Sequence, residues 1–520
     1  MKTKTQETEE VVYSINTQSE EGLSRRGFLG VGAAMAGAVA ALAVGCTPAS
    51  AADKPGKGSA EPAANVSSLT GWTGTPADIA ALGGSTMPLA DLNKYREDYI
   101  NKQVEFKLAD GTVVPVVYAK VRALIHTYGM GCGNTPFDFS WEALLKDFTE
   151  EDAQAFLEMP RGVEFTAMDL YEKTGRPREE CTAVCDRVAT AGYLCRYETA
   201  DGTVYHQVPY FQGIVEYHFD RTAAGDGSYN VGIAGLDYAA DTAGTGTPTF
   251  YAMPCDKSVT TDNVILPFDD VQEIINTKNK LAIAPCYCRY NALYMAGIED
   301  KPSFAEFATG EFEDYFSPIC NQRVETCLMM GREAEYWISR GIAREITREQ
   351  AGSYMKRSAD DGFILQSCFG KDSETICSCH SDSCMIMSMW NALGDPTTIG
   401  STQPFGQISH YSLKVELSKC KKCGTCMQRC PVHAITMDGE GGTPQVNMMC
   451  FRCGQCAYVC PEKARELAPR PDEENLELPR DFLDDANMKA AYRFEHGVIG
   501  DPMSAEEIQG MMAAAQSAAK

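Results

Sequence analysis

The sequence predicts a multi-domain α+β protein, and three observations carry that expectation. The chain has 520 residues, 44% of them apolar, which is enough for about two to four separately cored domains. Residues from about 140 to 220 read as three capped helices followed by a β-hairpin. Eight of the 22 cysteines fall between Cys420 and Cys460, which marks off a small module of its own.

The helix block comes first. Thr149 with Asp152 has the spacing of a capping box for a helix to Met159. Thr166 opens a second helix that stops at Gly175, and Pro177 starts a third that ends near Gly192. Tyr193 to Tyr197, the turn Asp201-Gly202 and Val204 to Val208 then read as a hairpin. Three helices and a hairpin resemble a winged helix-turn-helix. That resemblance would imply DNA binding, but the charges argue against it. The third helix sets Glu179, Glu180 and Asp186 against Arg178 and Arg187, and the whole chain carries 71 acidic against 46 basic residues, a net charge of −25. Nucleic-acid binding rests on Lys and Arg neutralising phosphates; this chain favours a cationic docking partner instead. Cys181, Val184, Cys185 and Val188 recur at helical spacing, so they are expected as one apolar face. Cys195 is likewise expected as core, and Cys132, Cys255 and Cys368 stand alone.

The N-terminus reads as an address. Ser24-Arg25-Arg26-Gly27-Phe28-Leu29 precedes an uncharged run from Gly30 to Gly45 rich in Ala, Val and Gly. The run is short for a membrane span, and it resembles a twin-arginine export signal with Arg25 and Arg26 as its pair. Two processing sites compete. Ala43-Val44-Gly45-Cys46 resembles a lipobox, which would lipidate Cys46 and anchor the protein to a membrane. Ala49-Ser50-Ala51 has the A-x-A form of ordinary cleavage, with Ala rather than Leu at 43 favouring it. Residues 52–70 are an Ala, Pro, Gly and Ser leader without a core pattern.

The cysteine module repeats one spacing. Cys420-x-x-Cys423-x-x-Cys426-x-x-x-Cys430-Pro431 is followed by Cys450-x-x-Cys453-x-x-Cys456-x-x-x-Cys460-Pro461. Three cysteines at two-residue gaps can wrap three corners of a cubane, and a remote one supplies the fourth. Zinc also takes C-x-x-C pairs, but it has no need of the third and fourth cysteine, twice, each time with Pro following. The pattern is similar to bacterial two-cluster ferredoxins, in which the fourth cysteine ligates the other cluster. The resemblance implies two [4Fe–4S] clusters, one on Cys420, Cys423, Cys426 and Cys460, the other on Cys450, Cys453, Cys456 and Cys430. Gly424 and Gly454 sit where backbone approaches sulfide, and residues 432–449 are expected to hold a short helix and a hairpin turning at 439–443. A twin-arginine route carries folded proteins, which suits a protein whose clusters are assembled before export.

A second constellation lies upstream. Ala282-Ile283-Ala284-Pro285 reads as a strand running into Cys286-Tyr287-Cys288-Arg289. Cys320 follows, then Cys327, expected to open a helix. Thr347 with Gln350 caps another helix, and Cys377-Ser378-Cys379-His380 and Cys384 close the set. Neither a C-x-x-C-H haem site nor a G-x-G-x-x-G fingerprint occurs. Over residues 140–465 this order of parts resembles a family of anaerobic iron–sulfur proteins with a winged-helix-like segment, a C-x-C-R, a second cysteine cluster and a terminal dicluster ferredoxin. Here His380 and serines stand where that family is denser in cysteine. Two readings of Cys286, Cys288, Cys327, Cys377, Cys379 and Cys384 remain open: a third metal or iron–sulfur site, with Arg289 offsetting thiolate charge, or buried thiols and disulfides.

The expected organisation is a signal over 1–51, a leader over 52–70, and an N-terminal region over 71–222 containing the winged-helix-like segment. A mixed α/β middle domain covers 223–410, a ferredoxin-like dicluster module 411–465, and an acidic helical tail 466–520. The functional expectation is an extracytoplasmic electron-transfer protein that works with a redox partner, either a membrane donor or an exported reductase. The alternative is an oxidoreductase with its own centre in the middle domain.

Overall fold

The computed structural model describes residues 85–108, 111–132, 140–219, 250–255, 258–259, 270–368, 370–384, 387, 409–439, 441–446, 450–470 and 478–501, with a few positions beyond. Arg25, Arg26 and Cys46 lie outside these residues. The protein is a multi-domain α+β molecule.

The N-terminal region begins with helix Leu89–Asn101, a short pair of β1 (Phe106–Lys107) and β2 (Val113–Val114), and helix Val116–His126. The three expected helices follow as Glu150–Glu158, Ala167–Thr174 and Arg178–Thr190. Thr149 Oγ1 accepts from the Asp152 amide at 3.1 Å. Thr166 and Asp169 form a reciprocal capping box, and Gly175 ends that helix at φ 71°, where a Cβ would be strained. The hairpin is β3 (Leu194–Thr199) with β4 (Gly202–Gln207), and Cys195 stands opposite His206 in its register. Cys181, Val184, Cys185 and Val188 are all at most 2% exposed, as their helical spacing predicts. The arginines of this block are committed to acidic and aromatic partners: Arg187 to Asp152 at 2.5 Å, Arg196 to Asp186 at 3.0 Å, and Arg178 over the Tyr171 ring.

The middle of the molecule is an antiparallel six-stranded sheet. Its strands are β5 (Phe250–Ala252), β6 (Leu281–Pro285), β7 (Glu325–Met330), β8 (Arg344–Glu345), β9 (Ile364–Cys368) and β10 (Thr375–Cys379), in the order β5-β9-β10-β7-β6-β8. Side chains alternate between its two faces. One face presents Tyr251, Leu281, Ile283, Leu328, Met330, Leu365 and Ile376 to helices Val271–Thr277 and Arg348–Asp361. Each such aliphatic side chain contributes about 1.5–3 kcal/mol by leaving water. The other face carries Ala252, Ala282, Ala284, Cys327, Met329, Cys377 and Cys379. Three of those seven are alanines, so this face leaves room above the strands. Cys327 does not open a helix as expected: it lies within β7, and the helix Gly331–Ser339 starts only after Gly331 turns the chain at φ 58°.

The C-terminal module is closed by β11 (Tyr411–Val415) paired with a strand that returns fifty residues later. Between them lie β12 (Ile435–Met437) and β13 (Pro444–Val446), an antiparallel hairpin; the returning strand is β14 (Arg465–Pro469). The short helix expected after Val432 sits earlier, at Thr425–Arg429, where it carries the third cysteine, Cys426, and is matched by Gln455–Tyr458 with Cys456 in the second run. The remaining chain returns to the N-terminal region. Helix Phe482–Glu495, capped by Asp481, packs Ala490 and Ala491 on Leu92, and fully buried Arg493 donates to the His126 carbonyl at 2.8 Å. No helix among the described residues is long and apolar enough to cross a membrane.

Candidate metal centres

The C-terminal cysteines gather into two groups of four, and the grouping is crossed. Cys420, Cys423, Cys426 and Cys460 line one cavity. Cys430 lies close to Cys450, Cys453 and Cys456, whose thiols push one another upward in pKa once burial has acted. The backbone repeats with a period of 30 residues. Lys422 and Arg452 take φ 57° and 54°, Gly424 and Gly454 take 78° and 82°, and His433 and Lys463 take 52° and 48°. Left-handed backbone at Lys, Arg and His is uncommon; here it turns the chain tightly around each group. Amides point at sulfur, from Lys422 to Cys420 Sγ at 3.4 Å, Ala434 to Cys430 Sγ at 3.2 Å and Ala464 to Cys460 Sγ at 3.3 Å. Four thiols around a cavity, with amide donors to the sulfurs, fit an iron–sulfur cluster and its anionic ligands.

The two groups differ in exposure. Cys423 is exposed, and the Thr425 hydroxyl 3.3 Å away draws its thiol below the ordinary range. Cys453 is buried and pushed well up by desolvation, and Cys456 is pushed up to about 12 by the same cause. A Cβ on Gly424 would meet open space, whereas one on Gly454 would collide with Ser258. The first group is therefore the outer one, and the second faces the middle domain.

The upstream cysteines also converge. Period-2 alternation puts Cys377 and Cys379 of β10 on one face of the sheet, and the β10–β7 register, Thr375 opposite Met329 and Ile376 opposite Leu328, brings Cys327 beside Cys377. Cys286 caps the helix Tyr287–Met295 and is held by its amide to the Val324 carbonyl at 2.7 Å; Cys288 follows in that helix's first turn, at its positive end. The thiols touch in series: Cys286 with Cys288, Cys288 with Cys384, Cys384 with Cys379, Cys379 with Cys377, and Cys377 with Cys327. All six line one cavity, together with Cys368, Glu216, Tyr217 and Glu333. Arg289 ties the ring down. Its guanidinium donates to Thr326 Oγ1 at 2.7 Å on β7, to the Ser378 carbonyl at 2.6 Å on β10 and to Gln322 Oε1 at 3.2 Å. Contact with a neighbouring thiol is the first cause of the raised pKa of Cys286, Cys377 and Cys379, with burial also raising each. Thiols crowded this way ionise together only around a cation, and a soft one suits sulfur donors.

Residues 419–472 match the 4Fe-4S dicluster domain family. That match supports binding of 4Fe–4S clusters and an electron-transfer role. The dicluster domain is a small part of the chain, and neither curated proteins nor solved structures give a match to the rest or the whole.

The dicluster domain is seated firmly on the middle domain. Gln455, fully buried between Cys453 and Cys456, donates to the carbonyls of Ala359 at 3.0 Å and Phe363 at 2.7 Å. Arg429 reaches the Ala359 and Asp360 carbonyls at 2.6 and 2.7 Å, and the Cys255 amide donates to the Cys453 carbonyl at 3.1 Å. One apolar core contains Cys377, Cys379 and Cys384 of the upstream ring along with Cys430, Cys450, Cys453 and Cys456.

Sequence reasoning left some residues unassigned that the structure brings to these centres. Cys255 abuts the inner group and Cys368 lines the upstream cavity. Neither has a neighbouring cysteine in sequence, so no spacing pointed to them. Cys320 was counted with the upstream set but does not line the cavity; it sits in the Ser317–Gln322 loop. No disulfide joins the described cysteines.

Proposed function

We propose that the chain is an exported iron–sulfur electron-transfer protein whose middle domain holds a third, thiolate-bound metal centre. The observation that carries this reading is the ring of six thiols, three of which, Cys377, Cys379 and Cys384, share one apolar core with the inner dicluster group. Cys420, Cys423, Cys426 and Cys460 would hold one [4Fe–4S] cluster, and Cys430, Cys450, Cys453 and Cys456 a second. Cys286, Cys288, Cys327, Cys377, Cys379 and Cys384 would supply the third site. Bound clusters exchange single electrons, and the protein's part is to set their surroundings.

The chain's own residues arrange those surroundings in order. The outer group opens to solvent beside Leu417, 56% exposed, and Met427, 37% exposed. These apolar side chains, flanked by Lys421 and Lys422, form the face on which a redox partner would dock, whether a membrane donor or an exported reductase. Gln455 and Arg429 fix the inner group against the middle domain, and residues of both cysteine groups share one apolar core. The Arg25–Arg26 signal supports an extracytoplasmic site of action, with Cys46 or cleavage after Ala51 deciding whether the protein is lipid-anchored.

A second reading rests on the cavity itself, which extends past the thiols to Tyr217 and the buried carboxyl of Glu216. A proton-bearing group on the wall of the same cavity suits an oxidoreductase whose reaction takes place in the middle domain.

Anaerobically purified protein should hold about eight irons and eight labile sulfides in the dicluster domain, plus metal beyond that count. Cys286→Ser and Cys377→Ser should each lose the excess and keep the eight. Metal equal to the parent in both variants removes the third centre and leaves an electron carrier with a large docking scaffold.

A further inference from the structure

We propose that Cys195, His206 and Glu333 form a mononuclear divalent-metal site of the zinc class, distinct from the iron–sulfur sites. Cys195 and His206 are opposite partners in the β3–β4 hairpin, so their side chains leave the same face of it. Glu333 comes from the first turn of helix Gly331–Ser339, which packs against β3. One ligand atom from each lies within 4.8 Å of the other two. A tetrahedral zinc site has donor atoms about 3.3–3.8 Å apart, from Zn–S near 2.3 Å and Zn–N or Zn–O near 2.0–2.2 Å. Small side-chain adjustments therefore close the triad on an ion.

The hydrogen bonding points to a missing ligand. His206 is 4% exposed, and its Nε2 is buried with no hydrogen-bond partner. Buried polar atoms are nearly always satisfied. Its Nδ1 lies 3.2 Å from the Gln207 carbonyl, which fixes the tautomer by donation to that oxygen and leaves the Nε2 lone pair free, as in metal-bound imidazoles. Glu333 is oriented in turn: Tyr217 donates its hydroxyl to Oε1 at 2.7 Å, and the Trp337 indole donates to Oε2 at 3.1 Å. A thiolate, a carboxylate and a neutral imidazole balance one dication. Sulfur, nitrogen and oxygen donors together suit zinc better than a hard cation or a cluster. Three protein ligands leave a fourth position, and Glu333 lies on the wall of the cavity that contains the thiol ring.

The test uses the full chain, anaerobically purified with its iron in place and dialysed against Zn(II) and then metal-free buffer. We expect about one zinc per chain in the parent, lost in Cys195→Ser and in His206→Ala, with iron unchanged in both. Zinc absent from the parent, or retained in both variants, overturns the site. Because these residues are core, either variant could misfold and lose iron too. Zinc-edge X-ray absorption of the parent then decides: one sulfur with nitrogen and oxygen neighbours supports the site, whereas an all-sulfur shell assigns the zinc to the thiol ring and overturns the proposal.

Discussion

The side-chain amide of Gln455 donates to the carbonyl of Phe363 at 2.7 Å, and this contact joins the two cysteine-rich parts of the molecule. The Phe363 ring lies 4.1 Å beneath the Arg289 guanidinium, which in turn donates to the carbonyl of Ser378, between Cys377 and Cys379. Four residues, Gln455, Phe363, Arg289 and Ser378, thus link the inner dicluster group to the upstream thiol ring. The arrangement needs a rigid seat, and Gln455 supplies it from the middle of a ligand run.

Gln455→Ala takes its donor from the buried Phe363 carbonyl, while the Ala359 carbonyl keeps Arg429. The expected cost is about 1–3 kcal/mol, the price of unsatisfied buried polar groups. Thermal unfolding of the iron-loaded protein should show a lower midpoint with unchanged iron content. An unchanged midpoint would show that the domains do not depend on this contact.

Cys430→Ala tests the crossed grouping. It should damage the cluster held with Cys450, Cys453 and Cys456, and leave the one at Cys420, Cys423, Cys426 and Cys460 intact. Electron paramagnetic resonance of the reduced variant separates the two outcomes, and a change confined to the outer signal contradicts the grouping seen here.

Burial holds the Glu216 carboxyl up at about 8. In the unfolded chain it titrates near its ordinary value of 4.5. Between those two values the folded protein binds a proton that the unfolded chain has released. Stability should therefore fall as pH rises from the ordinary carboxyl range through about 8, at up to about 1.4 kcal/mol per unit from this group. Glu216→Gln keeps a carbonyl acceptor for the Gly213 amide and removes the titration. Its thermal midpoint should fall less than the parent's between pH 6 and pH 8; parallel curves would mean that Glu216 ionises freely in the fold.

Replacing Arg25 and Arg26 by Lys should hold the protein in the cytoplasm with its clusters assembled, as fractionation and iron analysis would report. Export at the parental level would make the pair incidental. Cys46→Ala reads the processing site separately: loss of membrane retention supports lipidation, and no change supports the cut after Ala51.

Local chemistry was legible in the sequence wherever all the determinants lie close together along the chain. Caps at Thr166 and Thr347 declare themselves by a partner three residues on, and both form as expected. The dicluster cysteines lie at fixed gaps, so the module could be recognised before any fold was known, and its resemblance to two-cluster ferredoxins implied the crossed grouping. The C-x-C pairs were suggestive because strand alternation puts i and i+2 on one face. Cys327 does not open a helix as its sequence suggests: every residue from Glu325 to Met330 is buried, so the strand shows no in-out alternation to mark it. What only the tertiary structure decided was convergence. Sheet order set Cys327 beside Cys377, and the packing of helix Gly331–Ser339 on a hairpin more than a hundred residues earlier brought Glu333 to Cys195 and His206. Contacts between residues so far apart depend on which faces bury against each other, and that is a property of the assembled core rather than of any local spacing.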